Sequence, residues 1–296
     1  MPGDKGKKGK MMPNENALRN QRIERGEALL RFWGVRGSLS SNASLVGSHT
    51  SCVELEFSEG ISFIFDAGSG IRDAGVDREF KRITLFISHF HWDHIQGLPF
   101  FPTLIYSDTP IEIISCFEDT HQRLATLFDP RFHPVPLENY LNKIKISLLK
   151  EGETIEREGL KIQCARLNHP GDSFAFRVES PRLSFVYATD SDYDPLPDPA
   201  KEVFQGADIA VVDSQYLVGD SLKKAGYGHS SFKRALDVCA EHQVRSTYLF
   251  HFDPSYSDEK LEDLERQAID YVQKAYETSG PKVQLAREGR DQKIHF

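Results

Sequence analysis

Short apolar runs separated by turn residues recur along the chain from Leu30 onward. Most of these runs are rich in Val, Ile, Phe and Tyr, and their lengths and bounding turns predict β-strands. The predicted strands are residues 30–35, 52–57, 61–65, 83–88, 111–115, 144–148, 160–167, 173–178, 183–188, 209–213, 246–250 and 283–286. Strands therefore dominate the predicted structure.

Three segments have a helical pattern, namely residues 119–128, 231–241 and 258–278. Either Ser230 or Ser231 can cap the second helix, because a serine hydroxyl accepts a hydrogen bond from the first helical turn. The third helix is the longest, and one face carries Leu261, Leu264, Ala268, Ile269 and Val272. Helices cluster late in the chain, which favours a single layered α/β (α+β) domain over residues 29–296.

The first 28 residues differ from the rest in composition and charge. Residues 1–28 carry seven Lys and Arg against four Asp and Glu, and apolar residues are few before Leu18. This composition predicts a disordered basic tail. Because the whole chain has a net charge of −8, the remaining body carries −11. Such a body repels a long polyanion over most of its surface, whereas a small anionic substrate remains compatible.

The cysteines and the hydropathy pattern indicate the compartment. Four cysteines lie far apart without a C-x-x-C pair, which favours buried reduced thiols over disulfides or structural zinc. No apolar run approaches the ~18 residues that a membrane span needs, and the polar N-terminus is not a secretory signal. We therefore expect a cytoplasmic protein that does not contact membranes.

The densest cluster of potential metal ligands follows the predicted strand 83–88. His89, His91, Asp93 and His94 lie within six residues, in the pattern H-x-H-x-D-H. Residues two apart in an extended chain point to one side, so His89 and His91 can converge on one ion. Asp93 and His94 would begin the next helix and turn towards a second ion. Imidazole and carboxylate together suit Zn²⁺, Mn²⁺ or Fe²⁺.

Three further candidates each follow an apolar strand directly. His169 follows strand 160–167, Asp190 follows strand 183–188, and His251 follows strand 246–250. Each could be an ordinary loop residue when taken singly. Their shared position after strand ends favours a common metal site at one edge of the sheets.

These motifs, in this order, resemble the metallo-β-lactamase superfamily, and the resemblance covers nearly all of residues 30–296. It implies a four-layer αββα sandwich that binds two divalent metal ions, Zn²⁺ or Mn²⁺. By this resemblance, His89, His91 and His169 hold one metal. Asp93, His94 and His251 hold the other, and Asp190 bridges the two.

A second motif narrows the resemblance to the phosphodiesterase branch, which includes tRNase Z and the phosphoribosyl cyclic-phosphate phosphodiesterases. Residues 226–231 (Gly-Tyr-Gly-His-Ser-Ser) look like the G-H-S-T segment of that branch. The matching residue, His229, would protonate the leaving oxygen, while Asp93 would orient or deprotonate the attacking water besides ligating metal. His229 could instead be a loop residue beside the helix cap.

The substrate that the resemblance favours is a small phosphodiester, such as a cyclic nucleotide or a cyclic sugar phosphate. A long nucleic acid is disfavoured, because tRNase Z generally inserts its substrate-gripping arm between the residues that match His169 and Asp190. That interval is only 21 residues here. Two alternatives stay open: an acyl ester, lactone or thioester hydrolase of the same fold, and a non-catalytic metal-bound binding module. The branch also suggests a homodimer.

Several weaker candidates lie near the expected site. Arg36, Ser38, His49 and Thr50 could contact substrate. A structural pairing of Arg36 with a carboxylate is an equal alternative, and loop packing explains His49 and Thr50 equally well. Asp66, in a turn that resembles the family's D-x-G loop, is expected to orient that loop or a ligand rather than to bind metal. Asp213, at the end of strand 209–213, is expected at most to support a ligand. Four aromatic residues could wall the pocket or pack in the core: Phe100, Phe101, Phe132 and Tyr216.

Overall fold

The structure, a computed structural model, describes residues 27–76, 78–221 and 226–295. Its first sheet has seven strands, in the order β14-β1-β2-β3-β4-β5-β6. Pairing is antiparallel from β14 to β3 and parallel from β3 to β6. The strands are β1 (Glu27–Gly34), β2 (Cys52–Ser58), β3 (Ile61–Phe65), β4 (Arg82–Ile87), β5 (Ile111–Ser115), β6 (Ile144–Leu148) and β14 (Gln292–His295).

The second sheet also has seven strands, in the order β13-β12-β11-β10-β9-β8-β7. Strands β10 to β13 run parallel, and the remaining neighbours pair antiparallel. The strands are β7 (Thr154–Arg157), β8 (Leu160–Leu167), β9 (Ser173–Glu179), β10 (Ser184–Ala188), β11 (Ile209–Asp213), β12 (Ser246–Phe250) and β13 (Lys282–Leu285).

Helices connect the strands of both sheets. They are α1 (Ile71–Ala74), α2 (Trp92–Ile95), α3 (Pro102–Tyr106), α4 (Thr120–Leu127), α5 (Asp198–Phe204), α6 (Val218–Ser221), α7 (Phe232–Glu241) and α8 (Asp258–Tyr276), with 3₁₀ turns at Leu98–Phe100 and Leu137–Tyr140. Ser231 caps α7, because its side chain accepts a hydrogen bond from the backbone N–H of Arg234. Within the described ranges, no helix is both long enough and apolar enough to cross a membrane.

Two apolar layers hold the sheets and helices together. The larger core lies between the sheets, where Phe65 of β3 stacks on Phe86 of β4 at 4.9 Å and meets Phe185 of β10 at 5.2 Å. The smaller core lies on the other face of the first sheet and includes apolar residues of α1, α3 and α4. Helices α7 and α8 pack on the second sheet. The arrangement is the predicted αββα sandwich.

Most element predictions agree with the structure, and the differences have local causes. Strands β7 and β14 have no strong apolar run and were not predicted; each is four residues long and pairs along a sheet edge. Glu27 and Ala28 belong to β1 rather than to the predicted tail, while residues 1–26 of that tail lie outside the described residues. Ile269, predicted on the buried face of α8, is 46% exposed. Successive helical residues are ~100° apart, which places Ile269 at the edge of the stripe formed by the buried Leu261, Leu264, Ala268 and Val272.

Candidate metal centre

The H-x-H-x-D-H segment forms a tight turn between β4 and α2. His91 has extended backbone angles at the N-cap of α2, so the chain is extended up to His91 and helical from Trp92. This change of conformation turns Asp93 and His94 into the protein, where both are buried, while His91 remains exposed. Residues 89–94 therefore present four ligand side chains from one short turn.

Strained backbone positions hold other polar residues at the ends of neighbouring strands. Asp66, Asp190 and His251 follow β3, β10 and β12 and have φ values of 60°, 52° and 63°. The left-handed region is uncommon for residues other than glycine, and such strain is typical of functional sites. All three side chains are buried at the same edge of the sandwich.

One group of four ligand atoms has the spacing of a tetrahedral metal site. His94 Nε2 and His251 Nε2 lie 3.2 Å apart, and each lies 3.2–3.3 Å from Asp93 Oδ2 and from Asp190 Oδ1. A tetrahedron with edges of this length has its centre about 2.0 Å from each corner, which is the usual Zn–N and Zn–O distance. Five of the six distances among these four atoms therefore match those expected around one metal ion.

A second group shares Asp190 with the first. It consists of His89, His91, His169 and Asp190, whose ligand atoms all lie within 4.8 Å of one another. His89 Nε2 lies 3.5 Å from Asp190 Oδ2, is buried, and has no hydrogen-bond partner among the described residues. A buried nitrogen without a partner is costly unless a ligand satisfies it. A metal ion held by this group would satisfy His89 Nε2.

Burial and mutual charge set the pKa values in these groups. Burial raises the pKa of Asp190, but His251, His94 and His89 outweigh it and hold that pKa well below its usual range. Burial and the nearby His94 lower the pKa of His89 well below normal, which leaves a neutral imidazole that can ligate. Burial lowers the pKa of His94, but the nearby carboxylates outweigh it and raise that pKa well above normal, and the same negative charge favours a metal cation there.

Further side chains orient the ligand candidates. Asp66 Oδ2 lies 2.7 Å from His94 Nδ1, and Asp66 also accepts hydrogen bonds from Ser88 and from the Tyr187 hydroxyl. His169 Nδ1 donates to the carbonyl of Gly228 at 2.8 Å. Such contacts fix the tautomer and the ring orientation of a ligating histidine. Asp66 therefore lies where the sequence placed it, against a ligand candidate rather than among the ligand atoms.

His229 lies beside both groups and is held by Asp213. Its Nδ1 is 2.7 Å from Asp213 Oδ2, and its ring stacks on His251 at 5.1 Å. Ligand atoms that share one ion are about 3 Å or more apart at usual bond lengths, so the 2.7 Å contact is a hydrogen bond and not an edge of a third metal site. Burial lowers the pKa of His229, but Asp213 outweighs it and the net shift is upward.

The four weaker candidates for substrate contact differ in their burial and in their contacts. The phosphate contact predicted for Arg36 is wrong: its side chain is fully buried and donates to the carbonyls of Gly47, Asp253 and Tyr256. Arg36 thus ties the loop after β1 to the loop after β12, a long-range packing that no local motif reveals.

Thr50 is likewise fully buried and hydrogen-bonds Ser69 and Gln96, so the predicted substrate contact is also wrong. His49 is partly buried and faces Asp73, with 3.4 Å between His49 Nε2 and the carboxylate. Among Arg36, Ser38, His49 and Thr50, only Ser38 is exposed, and it lies beside the metal centre. Its backbone N–H donates to Asp93 Oδ2 at 2.7 Å, and it remains a candidate for substrate contact.

Of the four aromatic candidates, two are buried and two are exposed. Phe101 is fully buried in the smaller core, and Tyr216 is buried with its ring 5.7 Å from that of His229. Phe100 and Phe132 are 59% and 70% exposed. Tyr227, which lies two residues before His229 and is 67% exposed, was not among the predicted candidates. Its position inside the 226–231 motif could have indicated that it lies near the site.

Comparisons with known proteins identify the family and the fold. The family described as "Beta-lactamase superfamily domain" matches residues 63–252. A Ribonuclease Z of Prochlorococcus marinus is 25% identical over 261 residues, which cover 66% of this chain and 79% of the relative.

Two solved structures share the fold. Human tRNase Z, short form, superposes with a TM-score of 0.64 at 21% identity and covers 90% of this chain and 98% of its own. A diphosphatase from the PhnP family superposes with a TM-score of 0.66 at 20% identity and covers 91% and 98%. The family match spans well over half of the chain. This chain therefore belongs to the metallo-β-lactamase superfamily and is a hydrolase that uses divalent metal ions.

Proposed function

We propose that this protein is a binuclear phosphodiesterase that hydrolyses a small phosphodiester. The observation that carries the proposal is His229, a histidine held by a carboxylate beside two groups of metal ligands. Thioesters and aryl esters, whose leaving groups are weak bases, need no such acid, whereas an alkoxide leaving from phosphorus does. The Ribonuclease Z relative supports the same bond type, because a ribonuclease cleaves a phosphodiester.

The proposed ligands are those that the sequence predicts. His89, His91 and His169 hold one ion, Asp93, His94 and His251 hold the other, and Asp190 is shared. The 3.2–3.3 Å spacing among His94, His251, Asp93 and Asp190 supports Zn²⁺ over Mn²⁺, which prefers more ligands at longer distances. When bound, the two ions neutralise the charge of the phosphate and lower the pKa of a water molecule.

The reaction divides between two side chains of this protein. Asp93 Oδ2 accepts the Ser38 backbone N–H and faces His251, so its carboxylate is fixed and can orient the attacking water and take its proton. Water attacks phosphorus, the bond to the leaving oxygen breaks, and His229 donates a proton to that oxygen. The products are a phosphate monoester and an alcohol. Because Nδ1 of His229 is engaged by Asp213, the proton comes from Nε2.

The net charge of the chain outside the basic tail favours a small substrate. Outside the basic tail the chain carries −11, which disfavours a long nucleic acid along the surface. We therefore place cyclic nucleotides and cyclic sugar phosphates ahead of an oligonucleotide. A homodimer stays a prediction.

The test is hydrolysis of bis-p-nitrophenyl phosphate beside p-nitrophenyl acetate, with Zn²⁺ or Mn²⁺ supplied. Wild type should turn over the diester. His229→Ala should reduce kcat for a methyl or other alkyl diester by ~10²-fold or more, the scale of a lost general acid. The matched control is His121→Ala, which changes an exposed histidine on α4 and should leave both rates unchanged. Turnover of the acyl ester alone would contradict the proposal.

A further inference from the structure

Ser38 lies beside the metal centre, in the loop after β1, and its backbone is tied to the centre. Its N–H donates to Asp93 Oδ2 at 2.7 Å, and the N–H of the preceding Gly37 donates to the carbonyl of Phe252 at 2.9 Å. Ser38 has a φ of 63°, in the left-handed region that is uncommon for residues other than glycine. The residue is nevertheless exposed. The fold therefore holds an exposed serine directly beside a proposed metal ligand.

The side chain of Gln215 reaches Ser38 from the segment after β11. Gln215 is only 3% exposed, and its Nε2 donates to Ser38 Oγ at 3.1 Å. The backbone N–H of Gln215 donates to Asp213 Oδ1 at 3.0 Å, so the carboxylate that engages His229 also holds Gln215. Ser38 Oγ is the acceptor in its contact with Gln215, and no acceptor for its own hydrogen lies among the residues that the structure describes. The Ser38 hydroxyl is therefore left with a hydrogen to donate.

The other end of the Gln215 amide lacks a partner. Its Oε1 is buried and has no hydrogen-bond partner among the described residues. A buried acceptor without a partner is destabilising, and such departures from full satisfaction are expected at functional sites. An apolar side chain of similar length would pack here without that cost. The contact with Ser38 Oγ therefore accounts for an amide at this position better than packing does.

A hydroxyl that is held as an acceptor and is free to donate suits an oxygen atom of an anion. A phosphodiester has two non-bridging oxygens that share a negative charge, and hydrogen bonds to charged acceptors are among the stronger ones. Arg36, two residues before Ser38, does not offer such a bond, because its guanidinium is buried and donates to backbone carbonyls. The carbonyl oxygen of an acyl ester is uncharged and would gain less from the same donor.

We propose that Ser38 donates its hydroxyl hydrogen to a non-bridging oxygen of the substrate phosphate, and that Gln215 is the positioning residue that holds the hydroxyl in this orientation. The inference rests on the proposed phosphodiesterase function and assigns a contact through which the chain itself binds the phosphate.

The test is calorimetric binding of inorganic phosphate to the Zn²⁺-loaded full chain. Ser38→Ala and Ser38→Gly should each weaken binding about tenfold, the scale of one hydrogen bond to a charged group. Glycine adopts a positive φ readily, so Ser38→Gly separates loss of the donor from damage to the fold. Both variants keep the N–H that Asp93 accepts, so their affinity for Zn²⁺ should be unchanged. Ser40→Ala is the matched control and should keep the wild-type affinity for phosphate, because this exposed serine pairs with Ser69.

Gln215→Glu tests the positioning role. A carboxylate can only accept, so it turns the Ser38 hydroxyl towards itself and away from the phosphate. Phosphate should therefore bind this variant about tenfold more weakly as well. In a Ser38→Ala background the same substitution should weaken binding much less, whereas simple repulsion by the added charge would persist. Gln163→Glu, which makes the same change at an exposed glutamine on β8, should leave phosphate binding unchanged.

Two results would overturn the inference. One is wild-type affinity for phosphate in Ser38→Ala and Ser38→Gly, and the other is an equal effect of Gln215→Glu with and without the Ser38 hydroxyl. Hydrolysis of bis-p-nitrophenyl phosphate by the wild type separates this inference from the proposed function. Absence of that hydrolysis refutes the phosphodiesterase, whereas hydrolysis together with undiminished phosphate binding in the Ser38 variants refutes only the donor.

Discussion

At the residue scale, the position of His229 depends on Asp213. The carboxylate engages Nδ1 at 2.7 Å, so under the proposed function Nε2 is the nitrogen that donates the proton. Asp213 is fully buried at the end of β11 and also accepts the backbone N–H groups of Gln215 and Ser230. Under the proposed function, Asp213 is a positioning residue that acts through His229.

Replacing Asp213 should therefore affect substrates according to their leaving group. Asp213→Asn should lower kcat for an alkyl diester by at least ~10-fold, because a misplaced general acid loses much of its effect. The same variant should lower kcat for bis-p-nitrophenyl phosphate far less, since p-nitrophenolate needs little protonation. The measurement is kcat for both diesters. Equal losses for the two substrates would indicate general structural damage and contradict the assigned role.

Gly37 is a second residue on which the site depends. A Cβ atom at this position would lie 2.4 Å from Cε1 and 2.5 Å from Nδ1 of His251. Gly37→Ala must therefore displace the His251 ring, which is confined because its backbone already has a φ of 63°.

We expect Gly37→Ala to weaken binding of Zn²⁺ by about 10- to 100-fold, the scale for disturbed support of a ligand. Competition with a chromogenic chelator measures this affinity. Gly219→Ala is the matched control, because a Cβ there meets nothing within 4 Å. Unchanged Zn²⁺ affinity in Gly37→Ala would exclude His251 as a ligand.

At the scale of elements, one buried ion network joins the first three strands. Glu54 of β2 accepts hydrogen bonds from Trp33 of β1, Ser62 of β3 and both terminal nitrogens of Arg78. Arg31 of β1 lies 3.7 Å from the same carboxylate. Burial raises the pKa of Glu54, but Arg78 and Arg31 outweigh it and the net shift is downward.

This shift predicts acid sensitivity of the first sheet. A carboxyl whose folded pKa is depressed contributes stability above its unfolded pKa, and that contribution is lost as pH falls through the folded value. The free energy of unfolding of the metal-free protein should therefore fall below about pH 4.5. Glu54→Gln should cost about 3 kcal/mol at pH 7, because it leaves two buried cations short of a partner.

Urea unfolding between pH 7 and pH 3 measures both effects. The difference between wild type and Glu54→Gln should shrink as pH falls. A difference that stays constant over this range would show that the carboxylate charge of Glu54 adds nothing to stability.

The sequence predicts an element well where its signal is local. Strands such as β5 and β8 are continuous or alternating apolar runs, and their predicted bounds agree with the structure. The cluster of ligand candidates in the H-x-H-x-D-H turn could be predicted equally well, because its side chains lie within six residues. The prediction that Arg36 contacts phosphate was wrong because the partners of Arg36 are distant in the sequence. Its partners Asp253 and Tyr256 are more than 200 positions away, and only the folded chain brings them together.

At the scale of the whole molecule, the sandwich explains why distant residues share one site. Strands β4, β8, β10, β11 and β12 all end at one edge, and each is followed or ended by a polar residue of the centre. Because each ligand candidate follows an apolar strand, its place at this edge could be predicted from the sequence, while the assignment of ligands to two metals follows from the family resemblance and stays a proposal. The pairing of Asp213 with His229 depended on how a loop returns to the sheet edge, which the sequence pattern does not encode.

The most direct test of the central claim is turnover of bis-p-nitrophenyl phosphate while Zn²⁺ is titrated into the chelator-treated protein. The account predicts no turnover without metal and a rise that saturates at two equivalents per chain, because Asp190 serves both ligand groups. Turnover in the absence of metal, or saturation at a single equivalent, would contradict a binuclear phosphodiesterase.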